Sequence, residues 1–314
     1  MSSGTIKRRT FLQTTLAGGL LAACGTPMLH ATDAEQPGPL PKLAPHLGQF
    51  RNLAGEDRRA QLDFISAQGF PGLQENGLAQ RTYQFQQALR RELEGRGLQL
   101  GPFVGVAEFA EPLFGSAYPT GHRRFGSRHH QALQIAYRSG ASSFIVIPGK
   151  RDTTVPYRRQ FSRAVEFYQR LTERCEQAQV TLLLEPVHHG SMNSPMFLSS
   201  HTEAIELCAR VNHPHLRLLF DVYQQDQQLA DLEAGLTEAA PWIGHVELGD
   251  SLGRKEPGTG SIDFPRLFSI LRDHRYDGLL GMEHGTSLSG KAGEIELLAS
   301  YQRLGLIEPE LITH

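Results

Sequence analysis

An excess of charge is the first thing missing from this sequence. Lys and Arg number 31 against 33 Asp and Glu, a formal net charge of −2, whereas a general nucleic-acid binder carries a basic surface that neutralises phosphates. Cysteine is scarce, three in all, and Cys175 and Cys208 stand singly in helical patterns. They read as packing thiols, with a disulfide between them the alternative that spacing leaves open. No Gly-rich phosphate fingerprint follows the first strand-like run, which argues against an open dinucleotide-binding sheet. The apolar run 14–23 is too short to cross a bilayer as a stable helix. What is present is an ordinary globular composition, 39% hydrophobic and 20% charged over 314 residues, enough for a sizeable core.

The N-terminus reads as a targeting signal rather than fold. Lys7-Arg8-Arg9-Thr10-Phe11-Leu12-Gln13 is a twin-arginine pattern, and the small, apolar run behind it suits a signal h-region. Leu21-Ala22-Ala23-Cys24-Gly25 is similar to a lipobox, which would lipidate Cys24; simple cleavage without a lipid is the alternative. The expectation is an exported, periplasmic protein with a signal over residues 1–31, a linker over 32–42, a folded domain over 43–306 and a tail over 307–314.

Within the domain, short apolar runs alternate with amphipathic helical stretches. Strand-like runs fall at 43–47, 69–75, 98–106, 143–148, 180–185, 216–221, 243–248 and 278–283. Helical spacing occupies 58–68, 82–96, 130–139, 159–178, 202–211, 229–240 and 265–274. Fully apolar strands alternating with helices indicate a parallel sheet covered on both faces. Eight such units in a domain of this size predict an α/β fold, a single-domain (β/α)8 TIM barrel. Phe70 and Trp242 then read as barrel packing, and His129 and His130 as structural.

Acidic residues close four successive late strands: Glu185, Asp221, Glu247 and Glu283, separated by 36, 26 and 36 residues. In a closed barrel those ends converge on one mouth, and the crowded carboxylates would raise each other's pKa. A hard divalent cation, one Mg²⁺ or Mn²⁺, resolves the conflict; helix caps or arginine pairs are the alternative for each acid taken singly. His188 and His189 follow Glu185 closely, and one of them, His188 first, is a candidate substrate contact.

The sequence resembles the xylose isomerase-like TIM barrels, and the hydroxypyruvate isomerase family within them. The likeness is carried by Gly244-His-Val-Glu-Leu-Gly-Asp250, Gly253-Arg-Lys-Glu-Pro-Gly-Thr-Gly260 and Tyr276-Asp-Gly-Leu-Leu-Gly-Met-Glu283, with Leu184-Glu-Pro186, Phe220-Asp-Val-Tyr223 and Gly69-Phe-Pro-Gly72 in support. The resemblance implies that Glu185, Asp221, Glu247 and Glu283 bind one divalent metal, and that Glu185 and Glu283 serve as the acid/base pair. It implies that Arg254 and Glu256 orient substrate or loop, and that His245 hydrogen-bonds near the metal. The chemistry is coherent: isomerisation moves a proton α to a carbonyl through an enediolate, and needs a base, an acid and an electrophile.

Three positions depart from that pattern. Glu247 stands where Gln or His is usual, Gln224 where a His follows the sixth-strand Asp, and Ser261 where the loop usually ends in Gly-Glu. An amide at Gln224 still offers hydrogen bonds to substrate. The expectation is a metal-dependent isomerase or epimerase on small hydroxy-carbonyl or sugar-like molecules. The alternatives are a keto-sugar lyase or hydrolase using the same proton abstraction, and a non-catalytic sugar-binding lipoprotein.

Overall fold

The computed structural model describes residues 41–116, 118–188 and 195–307, all within the unit Gly38–His314. The twin-arginine segment, Cys24 and His189 lie outside the described residues. No helix among those described is long and apolar enough to cross a membrane.

The strands are β1 (Lys42–Ala44), β2 (Gly72–Leu73), β3 (Gln99–Leu100), β4 (Phe103–Glu108), β5 (Ser143–Pro148), β6 (Thr181–Leu184), β7 (Leu216–Asp221), β8 (Ile243–Glu247) and β9 (Leu279–Gly281). Seven of them form one parallel sheet in the order β1-β9-β8-β7-β6-β5-β4, and β2 pairs with β3. A parallel bridge from His46 to Gln74 joins the ends of β1 and β2, and β3 runs on into β4 through Gly101 and Pro102. The ring of a TIM barrel is thereby complete. The expected third strand is thus two pieces. Pro102 has no N–H to give to a ladder, so the chain pairs with β2 before it and with β5 after it.

Ten helices among the described residues wrap the sheet: α1 (Arg51–Ala54), α2 (Arg58–Ala67), α3 (Tyr83–Glu94), α4 (Tyr118–Ser139), α5 (Tyr157–Ala178), α6 (His201–Val211), α7 (Val222–Asp226), α8 (Leu232–Ala239), α9 (Phe264–Asp273) and α10 (Gly290–Arg303). Their starts follow the sequence. Asp57, Thr82, Ser200, Asp231 and Asp263 each accept a hydrogen bond from the backbone N–H three residues on. Helix α4 begins well before residue 130, because its first half is polar and hides the apolar period. Cys175 and Cys208 are buried and unbridged, and Phe70 is buried in the main core with Trp242 packed against it.

The packing inside the barrel positions the site. Ile145, Leu183 and Leu219, with Val104 against them, form a dry floor. Successive strand residues point to opposite faces, so Glu185 and Asp221 lie above Leu183 and Leu219, toward the C-terminal mouth. On the same parity Glu247 lies above His245, and Glu283 above Gly281. Four acids at one mouth are therefore a consequence of period-2 strands of similar register.

Candidate metal and proton-transfer site

Glu185, Asp221 and Glu247 each present a carboxylate oxygen within 4.8 Å of the others. Asp221 caps α7 through Oδ1, which accepts from Gln224 N at 3.1 Å, while Oδ2 accepts from Arg254 Nη2 at 2.6 Å. The Gln224 side chain lies among the acids, its Nε2 donating to Glu185 Oε1 at 2.9 Å and to Asp221 Oδ2 at 3.0 Å. Glu247 is buried and accepts from Gln74 Nε2 at 2.7 Å. Gln74 Oε1 faces His245 Nε2 at 2.9 Å, so His245 reaches the site through an amide rather than directly.

Glu283 stands apart from this triad. Its Oε2 lies 2.8 Å from His46 Nε2 and accepts from Asn76 Nδ2 at 2.8 Å, while Oε1 is 3.8 Å from Arg254 Nη2. A cleft of about 530 Å³ opens beside it, lined by His46, Gln49, Asn76 and Arg254 among others. Arg254 holds a left-handed backbone (φ 54°) and lies 5.5 Å from the Tyr223 ring centroid. That conformation costs about 1–3 kcal/mol for a non-glycine residue, and the loop supplies the compensation. Buried Asp250 accepts from the backbone of Ser251 at 2.7 Å, Gly258 at 2.7 Å and Ile262 at 3.3 Å. A Cβ at Gly260 would sit 2.4 Å from Asp250 Oδ1, which is why the Pro-Gly-Thr-Gly turn needs glycine there.

Glu256 is fully buried and engaged by Ser287, whose N donates to Oε2 at 2.8 Å and whose hydroxyl donates to Oε1. It ties the loop after β8 to the loop after β9. Ser261 is exposed and bonds Ser251, its N donating to Ser251 Oγ at 2.9 Å. His188, next to Val187 in sequence, is half-buried. His129 is buried with Nε2 3.3 Å from Cys175 Sγ, a packing position remote in the fold from the acids.

The electrostatics separate the four carboxyls. Burial, then Asp221 and Glu283, pushes Glu185 up to about 8. Asp221 is also raised, burial outweighing Arg254 and Gln224. Glu247 is raised well above the usual range, by burial and then by the other three acids. Glu283 goes the other way: burial opposes ionisation, but His46, Arg254 and Asn76 together hold it below the ordinary value. Burial keeps His245 neutral, lowered to about 3. Three mutually repelling carboxyls with one arginine cannot all ionise on the protein's own charges. Their oxygens converge on one point of the mouth, and an all-carboxylate donor set suits a single hard cation.

A family profile described as the Xylose isomerase-like TIM barrel matches residues 62–301. The chain belongs to this family. Hydroxypyruvate isomerase from Escherichia coli K12 is 31% identical over 115 residues, 36% of this chain and 44% of that one. The chain therefore aligns with less than half the length of that curated relative. Among solved structures, an AP endonuclease of family 2 from Brucella melitensis covers 84% of this chain and 99% of its own at 21% identity, with a TM-score of 0.69. D-Psicose 3-epimerase from Clostridium cellulolyticum H10, solved with D-tagatose, matches at 17% identity over 84% of this chain and 99% of its own, TM-score 0.67. At these identities the two structures establish the xylose isomerase-like fold.

Three further groups of this site carry no signal in a search for acids. Gln74, Asn76 and His46 sit just past β2 and β1, and each touches Glu247 or Glu283. A polar residue on the inward parity at a strand end is the only mark the sequence gives them.

Proposed function

We propose that this chain is an exported isomerase or epimerase of small hydroxy-carbonyl or sugar-like substrates, dependent on one divalent cation. The observation that carries the reading is the triad of Glu185, Asp221 and Glu247, two of them buried, with Glu283 held beside it in a contrasting environment. The names of the curated relatives, hydroxypyruvate isomerase and 2-oxo-tetronate isomerase, support the same class. Bound by the triad, Mg²⁺ or Mn²⁺ would supply the electrophile that polarises neighbouring carbonyl and hydroxyl oxygens of the substrate.

The chain's own groups supply the proton chemistry. Glu283, kept ionised by His46, Asn76 and Arg254, takes the proton α to the carbonyl. Glu185, the second carboxyl of the mouth, would return a proton to the neighbouring carbon or to the opposite face, the two carboxyls dividing the work of base and acid. Gln224 fixes the orientation of Glu185, and Arg254 offers its guanidinium to developing negative charge at the mouth. The twin-arginine pattern supports export, and with it a substrate met outside the cytoplasm.

The test is direct. Mature protein should bind about one Mn²⁺ by calorimetry, and should exchange deuterium from D₂O into the α-carbon of at least one member of a panel of ketoses and keto-acids. Chelation should stop the exchange and Glu283→Gln should abolish it. Full exchange by the Glu283→Gln protein would remove Glu283 from the role of base.

A further inference from the structure

Glu283 has two chemically unequal oxygens. Among the described residues, Oε2 accepts from Asn76 at 2.8 Å and lies 2.8 Å from His46 Nε2, whereas Oε1 is approached by Arg254 alone, at 3.8 Å. Each residue holding Oε2 is itself held by a glutamine. Gln74 Nε2 donates to Asn76 Oδ1 at 2.8 Å as well as to Glu247. Gln49 Oε1 accepts from the backbone N–H of His46 at 2.9 Å, and Gln49 Nε2 lies 3.3 Å from the carbonyls of Met282 and His284, the residues on either side of Glu283. The segment that carries His46 is thus fastened across the strand end that carries Glu283. The backbone bridge between His46 and Gln74 joins the two halves.

We infer that His46 and Asn76 are positioning residues that immobilise Glu283 Oε2, leaving Oε1 as the one oxygen that accepts the substrate proton. The inference rests on the isomerase reading for the reaction, but the brace itself is a property of the fold. An oxygen that accepts from Asn76 and has the His46 ring nitrogen at 2.8 Å has little room left for a third partner. A carboxylate fixed at one oxygen cannot rotate away from the cleft, so the other oxygen is presented without a conformational search. Gln74 extends the brace to Glu247, tying the base to one member of the triad through a single amide.

Two measurements test this. In the first, His46→Leu and Asn76→Ala lower the turnover number for deuterium exchange by about 10- to 100-fold, with KM changed by less than about threefold. Mn²⁺ affinity stays within the same factor, because the triad is untouched, and His46→Gln, which keeps a donor, recovers most of the rate. In the second, ¹⁵N-histidine NMR of the full chain shows a His46 imidazole N–H protected from solvent exchange, assigned by His46→Gln. That resonance moves in both Glu283→Gln and Asn76→Ala.

Wild-type turnover by His46→Leu, or loss of Mn²⁺ binding together with folding in both variants, overturns the positioning role. A His46 resonance indifferent to Glu283→Gln overturns the brace even where turnover is normal. If instead no substrate exchanges in the wild type while the resonance responds, the isomerase reading fails and the brace stands.

Discussion

Glu185→Gln should remove a loss of stability that the wild type suffers as pH rises. The Glu185 carboxyl is raised from 4.5 to about 8 by burial and by Asp221. Its folded pKa lies above its unfolded one, so the folded protein keeps a proton that the unfolded chain has already released. Stability contributed by this group is present below about 4.5 and is lost as pH rises to about 8. At about 1.36 kcal/mol per pKa unit the full shift amounts to about 5 kcal/mol. Glu185 retains an accessible edge at the mouth, and screening there reduces the expected figure to about 3 kcal/mol. Four histidines act in the opposite sense. His122, His129 and His284 are lowered to about 4 and His245 to about 3, mainly by burial, so acid destabilises the fold through them. Their slope is common to both proteins and cancels in the difference. The assay is the melting temperature of wild type and Glu185→Gln, in chelator, from pH 5 to pH 9. The two should coincide near pH 5, where a protonated Glu resembles Gln. By pH 8.5 the variant should melt about 6–9 °C higher, at about 2–3 °C per kcal/mol for a domain of this size. Mn²⁺ at about 100 times its Kd should return about 2.7 kcal/mol to the wild type, and more at high pH, where protons no longer compete for the carboxylates. Parallel curves from pH 5 to pH 9 would refute the assignment of Glu185 as a buried acid of raised pKa.

Gly281→Ala should disturb the site without adding or removing a charge. Its Cβ would lie 2.2 Å from Gln74 Oε1 and 3.0 Å from His245 Nε2, so Gln74 must leave Glu247; Mn²⁺ affinity should fall about tenfold by calorimetry while circular dichroism stays native. Ser287→Ala should leave buried Glu256 with one donor in place of two. Denaturant unfolding should show a loss of about 1–3 kcal/mol, with Mn²⁺ affinity unchanged.

The barrel and its four acids were legible because both follow from periodicity. Strands that run apolar through their length can only lie in a covered parallel sheet, and a residue two beyond a floor residue must share its direction. Leu183 therefore announces Glu185, and Leu219 announces Asp221. The supporting groups were not legible, because nothing local distinguishes them. Gln74 meets Glu247 across 173 residues of chain and Asn76 meets Glu283 across 207, and neutral side chains at strand ends occur for many reasons. The motif Arg-Lys-Glu-Pro-Gly-Thr-Gly marked its loop correctly as a unit but could not divide the labour within it. Arg254 turns toward Asp221, while Glu256 turns away to Ser287, and only the left-handed backbone at Arg254 shows how neighbours two apart part company. The break in the third strand lay in plain view as Gly101-Pro102, but strand and loop were indistinguishable there until β2 and β5 took different halves.

Glu247 poses the sharpest question, because the family resemblance leads to an uncharged residue at that position. An acid there has opposite consequences for folding and for cation binding. Buried beside Glu185 and Asp221, with Gln74 as its hydrogen-bond donor, Glu247 is driven well above the usual carboxyl range. In chelated protein at alkaline pH it obliges the fold to hold either an added repulsion or a proton that the unfolded chain has released. Toward a divalent ion the same charge is attractive at close range, and three anionic ligands bind more tightly than two. Glu247→Gln keeps the shape and still accepts from Gln74, so it removes little but the charge. The chelated variant should be more stable than wild type at pH 8 by about 1–3 kcal/mol in denaturant unfolding, and its Mn²⁺ affinity should be weaker by about 10- to 100-fold. A residue kept only for packing or hydrogen bonding cannot produce that pair of signs. Loss of stability with unchanged Mn²⁺ affinity would place Glu247 in the scaffold and leave Glu185 and Asp221 to find a third ligand elsewhere.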